Sequence, residues 1–269
     1  MPDFHFIAIG GVGQSALAKI LLCLGYSVSG SDIQDSKYID ALRKLGAGVN
    51  IGHKASNLSE DTDAVIVSTA IRESNPELIK AKELGIKIYH RSDSLKEIAE
   101  MAQKEGKCFI GFAGTHGKTT TSGMASFVLD KAGLEPSFVV GGIVPEIHTN
   151  AQCKNGKFFI AELDESDGTL VKYHPDILVI NNLEEDHLDF YKNGMSDLIK
   201  TFNQSISKSK KVIVNADDNG VRQLTGKFIT FGIKNTANYT AKNIVSSSNG
   251  TRFDVFHNDK KLTEIIENN

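Results

Sequence analysis

The chain has 269 residues, 30 basic and 33 acidic, and 40% apolar side chains, so it can bury cores for two ordinary domains. Near-balanced charge gives no electrostatic footprint for nucleic acid and no polybasic block for a membrane surface. Cys23, Cys108 and Cys153, odd in number and far apart, offer neither a disulfide framework nor metal spacing. Asp3, the early glycines and Lys19 argue against a signal peptide or membrane span, so a soluble cytoplasmic protein is expected.

In chain order, Phe4 to Ile9 reads as a strand, then Gly10-Gly11-Val12-Gly13, then a helix through Ala16, Leu17, Ile20, Leu21 and Leu24. Ser27 to Ser31 is a second strand, ending at Asp32. Strands at Ala64–Ser68 and Ile86–Tyr89 alternate with helices around Tyr38–Leu45 and Pro76–Leu84. Alternation of this kind predicts a parallel sheet with helices on both faces. Ser94 to Glu105 reads as a helix polar enough to link two domains.

Gly11-Val12-Gly13-Gln14-Ser15-Ala16 satisfies G-x-G-x-x-A after a strand and into a helix, with Asp32 at the next strand's end. Amides and a helix terminus bind any diphosphate, so an NAD-dependent oxidoreductase and a nucleotide-sugar site both fit.

A second α/β unit begins with the apolar run Cys108 to Ala113. Gly114-Thr115-His116-Gly117-Lys118-Thr119-Thr120-Thr121 follows, and then a helix over Ser122 to Ala132 with apolar Met124, Phe127 and Val128. Strand, glycine loop, lysine, hydroxyls and helix are the layout of a phosphate-binding loop. Its amides cradle phosphates, Lys118 neutralises terminal phosphate oxygens, and Thr119 places its hydroxyl on Mg²⁺. The spacing is a tight variant, because Phe112 stands where the general pattern has its first glycine.

Further strands are expected at Phe158–Leu163, Ile177–Asn181 and Val212–Asn215, and a β hairpin over Asn238–Val245 and Thr251–His257. Glu162, Asp164, Glu165 and Asp167 follow one strand end, where hard oxygen ligands suit Mg²⁺ beside a phosphate loop. Glu162, nearest the strand, is the expected ligand, with the other three read as solvated loop charges. His187, among Glu184, Glu185, Asp186 and Asp189 after another strand, is a candidate for metal ligation or proton transfer.

With these motifs and Asn215-Ala216-Asp217-Asp218, the chain resembles the Mur ligases, ATP-dependent amide-bond-forming enzymes of peptidoglycan synthesis, over nearly its whole length. Gly30-Ser31-Asp32-Ile33 and Asp164 to Thr169 favour the branch that joins L-alanine to UDP-N-acetylmuramate; a murein-tripeptide-recycling branch is close.

The resemblance implies a Rossmann-like UDP-sugar domain over 1–105, using Gly10, Gly11, Val12, Gly13, Gln14, Ser15 and Asp32. A P-loop ATPase-type α/β domain over 106–269 would hold ATP at Gly114 to Thr120 and Mg²⁺ at Thr119 and Glu162. Lys118, Glu162 and His187 would be catalytic, His187 through a second metal. Phe202 stands where several relatives carry a carbamylated lysine, which the alanine-adding branch also lacks. Family members continue past the β segments where this chain ends, through the rest of the ATPase domain and a third domain. UDP-sugar binding without turnover is therefore the expectation for these residues alone.

Overall fold

The computed structural model describes residues 3–186, 189–248 and 250–268. The described elements are β1 (Asp3–Ile7), α1 (Val12–Cys23), β2 (Ser27–Asp32), α2 (Lys37–Lys44), β3 (Gly48–Ile51), β4 (Ala64–Val67), α3 (Pro76–Glu83), β5 (Lys87–His90) and α4 (Arg91–Lys104). Then come β6 (Cys108–Ala113), α5 (Lys118–Lys131), β7 (Ser137–Val144), β8 (Thr149–Gln152), β9 (Phe158–Glu162), β10 (Ile177–Ile180), α6 (Met195–Ser207) and β11 (Lys211–Asn215). β12 (Ile229–Gly232), β13 (Tyr239–Ser247), β14 (Gly250–His257) and β15 (Lys260–Asn268) complete the order. The fold is α/β, with a five-stranded parallel sheet, β3-β2-β1-β4-β5, and a mixed ten-stranded sheet, β15-β14-β13-β12-β11-β10-β6-β9-β7-β8.

The chain clusters into two compact units, Met1–Phe109 with Thr119–Glu162, and Ile110–Lys118 with Leu163–Asn269. In the first, β1 and β4 lie inside the parallel sheet, which is why Phe6, Ile7, Val65 and Ile66 are all buried without alternation. Its helices start on local signals: Ser36 accepts from the Ile39 amide, and Asn75 caps α3 ahead of Pro76.

His90 and Asp93 form a reciprocal capping box, so α4 starts three residues earlier than expected. It is also no polar linker: Leu95, Ile98, Ala99 and Ala102 are buried, and the helix packs on α1, β4 and β5. The apolar face expected of α5 is reversed. Met124 and Val128 are exposed, whereas Ser122, Gly123 and Ser126 are buried. Small residues occupy the inward face of this helix, and a Cβ on Gly123 would meet Val144 Cγ2 at an ordinary contact distance of 3.5 Å.

In the second unit, residues 110–113 of β6 pair in parallel with β10, β10 with β11, and β11 with β12. The expected hairpin is present as β13–β14, and β15 extends it. Phe202 is fully buried on α6 with Leu198 and Ile206.

Candidate active site

The second glycine loop, with Gly114 and Gly117, joins β6 to α5. Gly114 and Gly117 take φ of +131° and +76°, which side-chain-bearing residues rarely adopt. A Cβ on Gly114 would meet the Asn181 and Asn182 backbone at 3.0–3.2 Å. The loop is pinned to the end of β10: Thr115 N–H donates to Asn182 O, His116 N–H to Asn182 Oδ1 at 2.8 Å, and Glu184 N–H to Thr115 Oγ1 at 2.9 Å. His116 is exposed, 3.7 Å from Glu184. Asp218, from the Asn-Ala-Asp-Asp run, accepts from the Leu183 amide and so braces the same strand end.

Lys118 Nζ donates to Gly114 O at 2.7 Å and to Glu165 Oε1 at 3.0 Å, with Oε2 at 2.9 Å. Glu165 is fully buried. Its reading as a solvated loop charge is therefore corrected, because Lys118 gives this one carboxylate a partner inside the fold. Burial pushes its carboxyl above the usual range, and the Lys118 charge and hydrogen bond oppose that rise only in part. Tyr191 donates to Glu165 O and fixes the turn from below. Asp164 and Asp167 instead accept from the Ser166 and Thr169 amides within their own turn.

Thr119, next on α5, donates from Oγ1 to Glu162 Oε2 at 2.8 Å, and the Gly141 amide donates to the same oxygen at 2.8 Å. A Cβ on Gly141 would lie 2.5 Å from Glu162 Oε2 and 2.8 Å from Thr119 Oγ1, so glycine keeps this corner open. The two hard oxygens of Thr119 and Glu162 fit Mg²⁺, which keeps several waters and takes few protein ligands. Among the described residues no cluster of three or more His, Cys, Asp or Glu side chains is suited to a metal. His187 lies outside the described residues. Thr120 is exposed on the first turn of α5.

In the first glycine loop, Gly11 occupies the N-cap of α1 with no side-chain cap, so the helix start presents backbone amides of Val12, Gly13 and Gln14. Asp32 Oδ2 accepts from the Gly10 amide at 2.8 Å, locking the loop to the end of β2. Gln14 and Ser15 point inward: Gln14 Nε2 reaches Ile7 O, and Ser15 Oγ donates to Val12 O and accepts from Asn150.

Sequence reasoning missed Glu77. This fully buried carboxylate accepts from Ser31 Oγ at 2.5 Å, Asn57 Nδ2 at 2.6 Å, Lys54 N at 3.1 Å and His5 Nε2 at 3.2 Å. His53 Nδ1 lies 2.7 Å from the same Ser31 hydroxyl. Burial raises the Glu77 carboxyl, but these four donors outweigh it and hold it below the usual range. No helix among the described residues is long and apolar enough to cross a membrane.

Two family descriptions match, "Mur ligase family, catalytic domain" over residues 3–103 and "Mur ligase middle domain" over 112–267. The chain belongs to the Mur ligase family. It is 40% identical to the UDP-N-acetylmuramate–L-alanine ligase of Pelobacter propionicus, over 98% of this chain and 58% of that protein, and equally so to that of Aquifex aeolicus. Among solved structures it is similar to the UDP-N-acetylmuramate–alanine ligase of Thermotoga maritima, with TM-score 0.88 and 32% identity over 99% of this chain and 60% of that one. The UDP-N-acetylmuramate:L-alanyl-γ-D-glutamyl-meso-diaminopimelate ligase of Neisseria meningitides gives TM-score 0.82 and 25% identity, over 98% of this chain and 87% of that one. The chain spans about 58% of the length of the curated relatives it matches.

Proposed function

We propose that the chain carries the UDP-sugar and ATP sites of an ATP-dependent ligase acting in the cytoplasm, joining L-alanine to UDP-N-acetylmuramate. The observation that carries the reading is the first turn of α5, where Lys118 and Thr119 each hold a carboxylate at the mouth of a glycine loop. The names of the 40%-identical relatives support the substrates. The first domain, 1–105, would take the UDP diphosphate on the amides of Gly11 to Gln14, and the second, 106–269, would take ATP on Gly114 to Thr120.

The substrate carboxylate attacks the γ-phosphorus of ATP, ADP leaves, and the resulting acyl phosphate is attacked by the L-alanine amine with loss of phosphate. Chemistry of this kind is mainly positioning and charge neutralisation. Lys118 turns its ammonium from Glu165 toward the γ-phosphate, while the loop amides orient the phosphate chain. Thr119 and Glu162 would hold Mg²⁺, which supplies a Lewis acid for the phosphate oxygens when bound. His187 is proposed as a further metal ligand. A second reading, a ligase that adds a preformed murein tripeptide, draws on the likeness to the Neisseria enzyme.

Calorimetric titration with UDP-N-acetylmuramate, ATP–Mg²⁺ and NADH tests the assignment. The first two bind and NADH does not; Lys118→Ala loses ATP and keeps the UDP-sugar. NADH binding that competes with the UDP-sugar would return the first loop to the oxidoreductases. Phosphate release with L-alanine against release with tripeptide separates the two ligase branches.

A further inference from the structure

The fold brings together two cysteines that are 130 residues apart. Cys23 is the last residue of α1, and Cys153 follows β8. The Cys23 thiol donates to Cys153 O at 3.7 Å, which places the two cysteines in direct contact. Neighbouring contacts hold the two backbones in place. Lys19, one turn before Cys23, donates from Nζ to Asn150 Oδ1 at 2.6 Å and to Thr149 Oγ1 at 3.2 Å. Asn150, fully buried, donates back to Val12 O at 2.9 Å on the same helix. Cys108, in β6, lines none of this.

Both cysteines border one open cleft of about 520 Å³, which is lined also by Lys19, Lys44 and His148 and by no acidic side chain. Cys23 is exposed and Cys153 half-buried. Two adjacent cysteines, one reachable from solvent, in a cleft lined by basic and no acidic side chains, are the requirements for exchange with a small anionic disulfide.

We propose that Cys23 and Cys153 are a thiol–disulfide exchange site, in which Cys23 attacks a small anionic disulfide and Cys153 resolves the product as an internal disulfide. In the first step the Cys23 sulfur, having given up its proton to solvent, bonds to one sulfur of the external disulfide. The external S–S bond breaks, and a first small thiolate leaves and takes up a proton. In the second step Cys153 gives up its proton to solvent and its sulfur attacks Cys23 Sγ; the mixed disulfide breaks, and the second small thiolate leaves and takes up a proton. Two protein thiols are oxidised by two electrons, and the external disulfide is reduced to two thiols.

Burial first, and then the Cys23 hydrogen bond, push the Cys153 thiol up to about 12. That fits Cys153 as the second reactant, since capping Cys23 removes the causes that come from Cys23. The product staples the C-terminal end of α1 to the strand beside it. The other end of α1 carries the Gly10–Gly13 loop, so the staple acts on the helix that presents the proposed diphosphate site.

The test is incubation of the reduced chain with glutathione disulfide, followed by peptide mapping by mass spectrometry. A Cys23–Cys153 crosslink is expected, lost in Cys23→Ser and in Cys153→Ser, and reversed by dithiothreitol. Cys153→Ala replaces the serine variant if serine at this half-buried position disturbs the fold. Cystamine, a cationic disulfide, is expected to react roughly tenfold or more slowly, as a positive cleft demands. A stable glutathione adduct on Cys23 with no crosslink, or a crosslink that takes in Cys108, would overturn the pairing. Equal rates with cystamine would overturn the anionic class of reactant.

Discussion

Lys118 Nζ rests 3.0 Å from Glu165 Oε1, on a carboxylate that has no exposure to solvent. The Lys118 ammonium thus has an internal anion to hold, and burial makes that anion costly. The Glu165 carboxyl is raised by desolvation more than Lys118 lowers it. A group whose folded pKa lies above its unfolded value contributes stability below the unfolded pKa and loses it as pH rises through the folded one. Glu165→Gln removes that titration. Its thermal midpoint should gain on the wild type as pH rises from about 4.3, the unfolded glutamate value, toward neutrality. The offset at acid pH, where Glu165 is protonated in both folded and unfolded chains, reports the exchange of a neutral carboxyl for an amide, and the slope above it reports the ionisation of Glu165 beside Lys118. A gap independent of pH would mean that Glu165 does not titrate differently on folding.

Gly141 offers a sharper probe of the Thr119–Glu162 corner than removal of either side chain. An alanine Cβ would sit 2.5 Å from Glu162 Oε2 and 2.8 Å from Thr119 Oγ1, so the carboxylate must move. Gly141 is not among the positive-φ residues, and alanine should therefore leave the backbone unstrained. Gly141→Ala should fold normally yet weaken ATP–Mg²⁺ binding by about tenfold or more, equivalent to about 1.4 kcal/mol. Glu162→Gln should raise the Mg²⁺ concentration needed for nucleotide binding by a comparable factor. Calorimetry across a Mg²⁺ series reads both; unchanged Mg²⁺ dependence in the two variants would remove the metal assignment.

The two glycine loops were legible because each sits between an apolar strand and a helix, a context that few other sequences share. β3 was not legible, since most of its four residues are exposed at the sheet edge and carry no apolar pattern. α6 did leave a signal: Leu198, Phe202 and Ile206 recur every four residues and all face inward. Glu165 could not be separated from Asp164 and Asp167 by residue type. Its burial depends on Lys118, 47 residues earlier, a pairing that only the fold supplies. That Cys23 and Cys153 come together was hidden for the same reason, as distance along the chain says nothing of α1 lying against β8. In α5 the period was right but the buried face wrong, because Ser122, Gly123 and Ser126 take the inward positions while Met124 and Val128 face out.

Gly10 tests the division into two sites. A Cβ there would come within 2.9 Å of both Asp32 Oδ2 and Ile39 Cδ1, so Gly10→Ala must loosen the Asp32 clamp on the loop. UDP-N-acetylmuramate affinity should fall by about tenfold or more, the loss of one charge-assisted hydrogen bond being worth about 1.5–3 kcal/mol. ATP affinity should stay within about twofold, a change of about 0.4 kcal/mol. Parallel loss of both ligands in a folded variant would show that the sites are not separate.

Glu77 gives the opposite pH signature to Glu165, and the contrast is itself informative. Its four donors hold it charged inside the first sheet's C-terminal edge, with the carboxyl depressed. A depressed carboxylate contributes stability above its unfolded pKa and loses it as pH falls through the folded value. Glu77→Ala leaves the donors of His5, Ser31 and Asn57 facing a cavity, and should cost about 3–5 kcal/mol near neutral pH. That cost should shrink below about pH 4.3, where the wild type itself surrenders the contribution. Glu77→Gln keeps the volume and one acceptor oxygen, and should recover part of the loss while flattening the acid limb. Urea midpoints measured from neutral pH downward, for the wild type and both variants, check the sign. If the gap between wild type and Glu77→Ala widened toward acid, Glu77 would be buried neutral and the network would run on a protonated carboxyl instead.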